Sequence, residues 1–563
     1  MPNARPSWRR AAVATAALLA AGLTGAQPTQ QSAQQAPAQV GAPTARQALP
    51  SFAELEAAGA RFGTIRFITR DIFDTSDPRE NNALYRAANA LHIQTRPGVI
   101  ERSLLFKTGD PVSVRQIEES ERVLRTARYL YDVSFTPVAV HDGVVDVDVE
   151  TRDTWSIDFG ASAGRAGGTN SSGLRLKDYN LLGTGIALGF GRSKNVDRSG
   201  TEFELSNEHA FGTWTALHLS SARNSDGHRD ATSVVRPFYA LDARWAAGLT
   251  AVDDQRVESI YRAGDVASQY RHKQTTAEAF GGWSAGLVDG WVQRYSAGLS
   301  LRDDRFGNAP DLVAPPALPV DDKQVAPFVR YELLEDRFEK LQNRNLIGRP
   351  EFFSLGLSAK LQLGWAATGL GSSQNTLQYA ASVSRGFVPG PEHTLIAASA
   401  LSGEYTQGQV RRLRLGAQVQ YYRPQGPHWL FFASTAADVV RHTDPADELL
   451  LGGDNGLRGY PLRYQSGQQR ALFTVEERFF TDIYLWRLFR IGGAAFFDAG
   501  RAWGGANPNT DNPGWLRNAG FGLRIVSARA AFSNVLHVDV AFPLDRTPGI
   551  KGVQVLVKTK ASF

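Results

Sequence analysis

Val553-Gln-Val555-Leu-Val557-Lys-Thr559-Lys-Ala561-Ser-Phe563 ends the chain as a strand with two different faces. Val553, Val555, Val557, Thr559, Ala561 and Phe563 share one face; Gln554, Leu556, Lys558, Lys560 and Ser562 share the other. A last strand with a largely apolar face suits barrel closure, because pairing it with the first strand removes both free edges of the sheet.

Upstream runs a long series of short alternating segments separated by turn chemistry. Thr184 to Arg192, Thr213 to Ala222, Thr275 to Ala285, Trp291 to Leu301, Val325 to Leu333, Phe352 to Leu363, Val410 to Tyr422 and Trp429 to Asp438 are examples. Many carry Gly, Ala, Ser or Thr on one face and Leu, Val, Phe, Trp or Tyr on the other. Alternation alone does not say which face points inward: a sandwich buries its large residues, and a membrane barrel turns them to lipid. Length favours the barrel. Residues 155–563, at roughly 25 residues per strand and connection, give about 16 strands. A soluble β domain of that length would more often divide in two. The expected fold is therefore mainly β, a 16-stranded antiparallel transmembrane barrel over 154–563, preceded by a small α/β unit.

No stretch beyond the amino terminus is apolar for the ~18 residues that a membrane-crossing helix needs. At the terminus, Arg5, Arg9 and Arg10 precede the apolar run Ala11 to Leu23 and the small residues Thr24-Gly25-Ala26. This is the pattern of a secretory signal peptide, here residues 1–26. Residues 27–60 begin rich in Gln, Ala and Pro and are expected to be a flexible lead.

Residues 61–153 read as the compact α/β unit. Gly63 to Thr69 alternates like a strand, Asp77 to Ala90 and Val99 to Phe106 read as helical, and Ser113 can cap a helix whose Val114, Ile117, Leu124 and Ala127 recur at helical spacing. Two strands follow, Tyr131 to Val140 and Val144 to Arg152, joined at Asp142-Gly143. This order, with Gly109-Asp110 and the closing Val147 to Asp153, resembles a POTRA domain, although the segment from Asp74 to Arg96 is longer than the usual connection.

One loop does not repeat the chemistry of its neighbours. Leu451-Gly-Gly-Asp-Asn-Gly-Leu457-Arg458-Gly459-Tyr460-Pro461 holds a single arginine between glycines. Further on, Phe496-Phe497-Asp498-Ala499-Gly500 places Phe496, Asp498 and Gly500 on one strand face, with Phe497 on the other. A guanidinium inside a barrel is held best by a carboxylate, and its planar fork suits a two-pronged contact. Arg458 is therefore expected to reach into the lumen and pair with Asp498.

The Leu457-Arg458-Gly459-Tyr460 motif resembles the sixth-extracellular-loop signature of the BamA, TamA and FhaC superfamily, and Phe496-x-Asp498-x-Gly500 its partner motif. Asn518-Ala-Gly520-Phe-Gly522-Leu-Arg524 and Val538-Asp-Val-Ala-Phe-Pro543-Leu544 follow in the family's order. The final strand resembles the terminal assembly signal of outer-membrane barrels at Val555, Val557, Thr559, Ala561 and Phe563, with Thr559 and Ala561 smaller than usual. The resemblance implies an outer-membrane protein of a Gram-negative bacterium with a periplasmic POTRA-like domain. Its implied work is insertion or translocation of a polypeptide client, in contact with outer-membrane lipid and with periplasmic or lipoprotein partners. A passive pore or surface antigen, and a dedicated two-partner-type exoprotein transporter, remain as alternatives.

Enzymatic function is not expected. The sequence has no His-Glu-x-x-His, no Gly-x-Ser-x-Gly, no phosphate-cradling glycine loop with a lysine and no cysteine. No cofactor or metal is expected. A net charge of +5 from 61 basic and 56 acidic residues spread along the chain gives no basic field for nucleic acid. Asp253-Asp254, Asp303-Asp304 and Asp321-Asp322 read as solvated loop charge.

Overall fold

A computed structural model describes residues 49–504, 514–531, 535–546 and 550–560; the signal-peptide segment, Ala561 and Phe563 lie outside the described residues. The chain begins with helix α1 (Phe52–Ala57), strand β1 (Arg61–Arg70), helices α2 (Ala83–Leu91), α3 (Pro97–Glu101) and α4 (Val114–Thr126), and strands β2 (Leu130–His141) and β3 (Val144–Asp153). Helix α1 falls within the stretch expected to be a flexible lead. Ser51 and Glu54 form a reciprocal cap there, and Leu55 enters the small core.

The three strands order as β1-β3-β2, with β1 parallel to β3 and β2 antiparallel to it. Val145, Val147 and Val149 form the buried face of β3 and pack with Phe62, Ile100, Ile117 and Leu124. Helix α4 keeps Ile117 and Leu124 inward, and Ser113 accepts the Gln116 N–H.

The barrel follows. Its strands are β4 (Ile157–Ala166), β5 (Thr169–Asp178), β6 (Ile186–Lys194), β7 (Ser199–Ala210), β8 (Thr215–Asn224), β9 (Gly227–Arg236), β10 (Trp245–Arg262), β11 (Asp265–Val288), β12 (Trp291–Asn308) and β13 (Asp322–Glu335). A short hairpin, β14 (Phe338–Gln342) and β15 (Pro350–Ser354), interrupts before β16 (Ser358–Ala366), β17 (Thr376–Phe387), β18 (Thr394–Thr406), β19 (Gln409–Pro424) and β20 (Trp429–Arg441). A second short pair, β21 (Leu449–Leu451) and β22 (Gln465–Gly467), precedes β23 (Gln469–Leu485), β24 (Phe489–Trp503), β25 (Leu516–Ser527), β26 (Val535–Pro543) and β27 (Gln554–Lys560).

Among the described residues a closed barrel of 20 strands forms, which corrects the expected 16. The cause is turn length. Ala263-Gly264, Asp289-Gly290 and Gln407-Gly408 connect long strands through two-residue hairpins with left-handed backbone. Each strand with its connection therefore takes only about 20 residues, and the assumed spacing was too generous.

The strands settle which face points inward. On β12, Arg294, Ser296, Gly298, Ser300, Arg302 and Asp304 alternate inward while Trp291, Tyr295, Ala297 and Leu299 face out. Registered pairs Trp245↔Trp283, Trp283↔Tyr295, Tyr295↔Tyr331 and Tyr331↔Leu361 set an outward row of mostly aromatic side chains at one level. Large residues outside and small or polar ones inside is the pattern of a lipid-facing barrel.

The small domain docks at one end, here the near end. Arg115 pairs with Asp242, Lys340 with Glu121 at 2.8 Å, and Arg529 with Glu80 at 2.7 Å. The Leu241 N–H donates to Glu119 at 2.8 Å. Burial at this contact pushes the Glu119 carboxyl up, partly offset by that N–H donor.

Two elements fill the lumen. From the near end, the 336–357 excursion packs Ile347, Phe353 and Leu355 against Tyr422, Leu430, Phe432 and Phe480 of the wall. From the far end comes the loop between β20 and β23. The segment expected as one strand, Phe352 to Leu363, is thus split into the end of the near-end hairpin and the start of β16.

A lumenal arginine clasp as the candidate functional site

The far-end loop is carried inward by the β21–β22 ribbon and then turns on its own backbone. Leu457 N–H donates to Gly452 O at 3.0 Å and Gly453 N–H to Pro461 O at 3.0 Å. Gly456 has φ +115°, and a Cβ there would lie 2.3 Å from Leu472. At Gly459 a Cβ would lie 2.6 Å from that of Asn518. Only glycine lets the loop approach the wall this closely.

Arg458 sits at the tip. Its Nε and Nη2 donate to Asp498 at 2.8 and 2.7 Å, a two-pronged contact. Nη1 donates to Glu476 at 2.8 Å, and the guanidinium lies 3.5 Å over the Phe496 ring. Asp498 also accepts from Asn518 at 2.8 Å and Thr474 at 3.0 Å. The carboxylate is fully buried and Arg458 nearly so, so the pair depends on having these hydrogen bonds satisfied.

The remaining motif residues lie around the same turn. Leu457 and Tyr460 are fully buried with Leu451, Ala502 and Leu516. The Tyr460 hydroxyl donates to Arg517 O at 2.8 Å. Phe496, Asp498 and Gly500 face the lumen, and a Cβ on Gly500 would lie 3.1 Å from Leu451.

Sequence reasoning missed the second half of the charge network. Glu476 also accepts from Arg478 at 2.9 Å, and Arg478 donates to Arg344 O, in the near-end hairpin, at 2.7 Å. Asp539 pairs with Arg524 at 2.5 Å and lies 3.9 Å from Arg458. Three arginines and three carboxylates thus share one buried site. The available signal was Thr474, Glu476 and Arg478 at alternate positions of one strand, a polar face where the other carries Phe473, Val475 and Phe479 with the single charge of Glu477.

The carboxyl-terminal strand presents Val555, Val557 and Thr559 outward and Gln554, Leu556, Lys558 and Lys560 inward. Ala561 and Phe563 of the expected assembly signal lie outside the described residues.

A second charged group lines the lumen nearer the far end. Arg302 pairs with Glu404 at 2.6 Å and Asp304 at 3.1 Å, and Arg412 pairs with Asp304 at 3.2 Å. Asp304 and Asp322 are buried in strands facing inward, not solvated in loops as the sequence reading had it. Lumenal arginines replace water as their partners. Among the described residues no group of His, Cys, Asp and Glu is arranged to hold a metal ion.

The loop also crosses to the opposite side of the barrel closure. Arg463 pairs with Asp197 at 2.5 Å, lies 4.3 Å over the Tyr261 ring, and Tyr261 donates to Asp197 at 2.7 Å. Pro461 and Leu462 lie against Gly167 of the β4–β5 hairpin. Beneath this contact, β27 and β4 share one registered pair among the described residues, Val557↔Arg165.

Residues 349–557 match the Omp85 superfamily domain. Comparison with curated proteins finds no match. Among solved structures the chain is similar to BamA from Haemophilus ducreyi lacking POTRA domains 1–3, at 13% identity over 88% of this chain and 84% of that one, TM-score 0.39. It is also similar to CdiB from Acinetobacter baumannii, at 12% identity over 89% and 73%, TM-score 0.41. CdiB from Escherichia coli gives 12% identity over 88% and 76%, TM-score 0.45.

Proposed function

We propose that this chain, which carries an Omp85 superfamily domain over residues 349–557, inserts or translocates polypeptides at the outer membrane of a Gram-negative bacterium without acting as an enzyme. The near end is then periplasmic and the far end extracellular.

The observation that carries this reading is the seam. Every other pair of neighbouring barrel strands has at least seven registered residue pairs, while β27 and β4 have one among the described residues. A closed sheet with one weak ladder can open there, presenting two strand edges to an incoming strand.

Residues 61–153 act in this proposal as a POTRA-like periplasmic domain. The β1-β3-β2 order leaves β2 as a sheet edge, and Pro137 within it fits an edge position. An extended client or a lipoprotein partner can add to that edge by strand pairing. Arg458 and its carboxylates would serve as a loop-to-barrel clasp that keeps the far-end loop inside the lumen.

A passive pore fits less well, because packed elements enter the lumen from both ends. Dedicated secretion of one exoprotein shares the same seam and differs in its client. The test is a disulfide across the seam in a chain that has no cysteine of its own. Arg165→Cys with Val557→Cys, oxidised, is expected to abolish client assembly, and reduction to restore it. Full activity of the oxidised form overturns the proposal. Depletion followed by proteomics of outer membrane and medium separates the two clients: loss of several barrels indicates insertion, and loss of one secreted protein indicates secretion.

A further inference from the structure

We propose that helix α2, in the long segment between β1 and α3, is an interfacial helix that lies in the phospholipid surface beside the seam. The inference rests on the membrane-barrel reading above and goes beyond it by giving this segment a lipid partner.

The helix is apolar on both sides. Asn82 caps it by accepting the Tyr85 N–H at 3.0 Å. Its inner side is seated: Tyr85 stacks on Phe73 at 4.1 Å, Ala88 joins Trp155 and Leu488 around the cluster of Ile72, Phe73 and Tyr85, and Asn89 exchanges hydrogen bonds with the Phe73 backbone at 2.8 and 3.1 Å. The outer side carries Leu84, Ala87 and Leu91 at helical spacing, followed by Ile93. Leu84 is 68% exposed, Leu91 74% and Ile93 52%. Helix α4 of the same domain shows the opposite chemistry, with Glu118 and Arg122 among the charged residues on the side away from its core. The polar side of α4 meets the barrel through Arg115, Glu119 and Glu121 and leaves Glu118 exposed, whereas the apolar outer side of α2 is left uncovered.

The barrel turns flanking α2 indicate what that is. The Tyr85 hydroxyl donates to Trp486 O, in the turn between β23 and β24. At the other end of the segment, Arg96 N–H donates to Gly183 O at 3.0 Å and Asn180 to Thr95 at 2.8 Å, in the turn between β5 and β6. The segment therefore spans from one side of the seam to the other at the near rim. Trp486 and Leu182, in those two turns, are themselves exposed. The apolar side of α2 continues the lipid-facing surface of the barrel past its rim, where an amphipathic segment buries its apolar side chains at the boundary of headgroups and acyl chains. Arg86, exposed on the same helix, can meet lipid phosphate, while Arg79 is paired with Asp77 at 3.0 Å.

The native absence of cysteine makes the test direct. Single spin labels are placed at Leu84→Cys and Leu91→Cys in the full chain, reconstituted into phosphatidylethanolamine and phosphatidylglycerol vesicles. Leu363→Cys on the outer barrel wall is the lipid reference, and Glu118→Cys the water reference. The expected result is that labels at 84 and 91 collide with oxygen more than with a water-soluble nickel chelate, as at 363 and opposite to 118. Water-like collisions at 84 and 91 with lipid-like collisions at 363 overturn the inference and leave the barrel reading standing. Shielding from both reagents, the sign of a protein cover, also overturns it. Water-like collisions at 363 overturn the barrel reading itself.

Discussion

The wall from β10 to β13 and the wall from β26 through β27 and β4 to β5 belong to one sheet but are built differently. In the first, strands of 18, 24, 18 and 14 residues pair almost end to end. In the second, strands of 9, 7, 10 and 10 described residues meet at a junction with one registered pair among the described residues. Backbone ladders hold the first wall throughout, and elements outside the ladder fasten the β27–β4 junction of the second. Arg463, Asp197 and Tyr261 fasten it at the far end. At the near end, Trp155 bridges Ala530, Arg529 pairs with Glu80, and Arg96 reaches Gly183. A joint fastened by side chains and loops can be released without unfolding the sheet.

That contrast can be attacked in graded steps. The seam disulfide described above should give the largest effect, an on–off dependence of activity on oxidation, whereas a disulfide between β11 and β12 should leave activity unchanged. Next comes the clasp. Arg458→Ala leaves buried carboxylates without their cation and should cost about 3–5 kcal/mol in thermal or denaturant unfolding. In a cycle with Asp498→Ala the two losses should be strongly non-additive; additive losses would mean that the contact is not what holds the loop.

Gly456→Ala should cost about 1–3 kcal/mol, because its backbone is left-handed and its Cβ would strike Leu472. Faster hydrogen exchange confined to the far-end loop would be its signature. Arg529→Ala removes the near-end ion pair and its stacking over Tyr131, and should cost about 2 kcal/mol while raising exchange in residues 72–91.

The smallest effect is expected at Asp197. Its hydrogen bond from Arg463 holds the carboxyl below the usual range. A lowered folded-state pKa means that the contact stabilises fully above the ordinary carboxylate value and is lost as pH falls through the lowered one. Protease sensitivity of the 452–463 loop should therefore rise only in strong acid, and Asp197→Asn should abolish that pH dependence.

The sequence exposed the alternation of strands, and the pairing Arg458 makes with Asp498 lay on residues that could be picked out singly, an arginine between glycines and an aspartate in an apolar strand. The strand count was less legible, since it depends on hairpins as short as Ala263-Gly264, which look like any Gly-containing bend. Lumenal charge was harder still. Glu476, Arg478 and Asp539 look like surface residues until the barrel closes around them, and Asp304 and Asp322 look like loop acids until Arg302, on the same strand as Asp304, and Arg412, from β19, are brought beside them. Helix α2 starts at Ala83 and not near Asp77, because Asn82 supplies the cap and the preceding Asp74 to Asn81 stretch bonds to itself through Ser76, Arg79 and Glu80.

Arg478 gives the lumen a mechanical property. It holds Glu476, the second acceptor of the outer loop's arginine, and with another nitrogen it holds a carbonyl of the inner hairpin. The two stoppers of the barrel are bolted to one shared strut: withdrawing the far-end loop leaves Glu476 without Arg458, and withdrawing the hairpin leaves Arg478 without its carbonyl acceptor. A solute seeking a way through the middle meets both stoppers as a single obstacle.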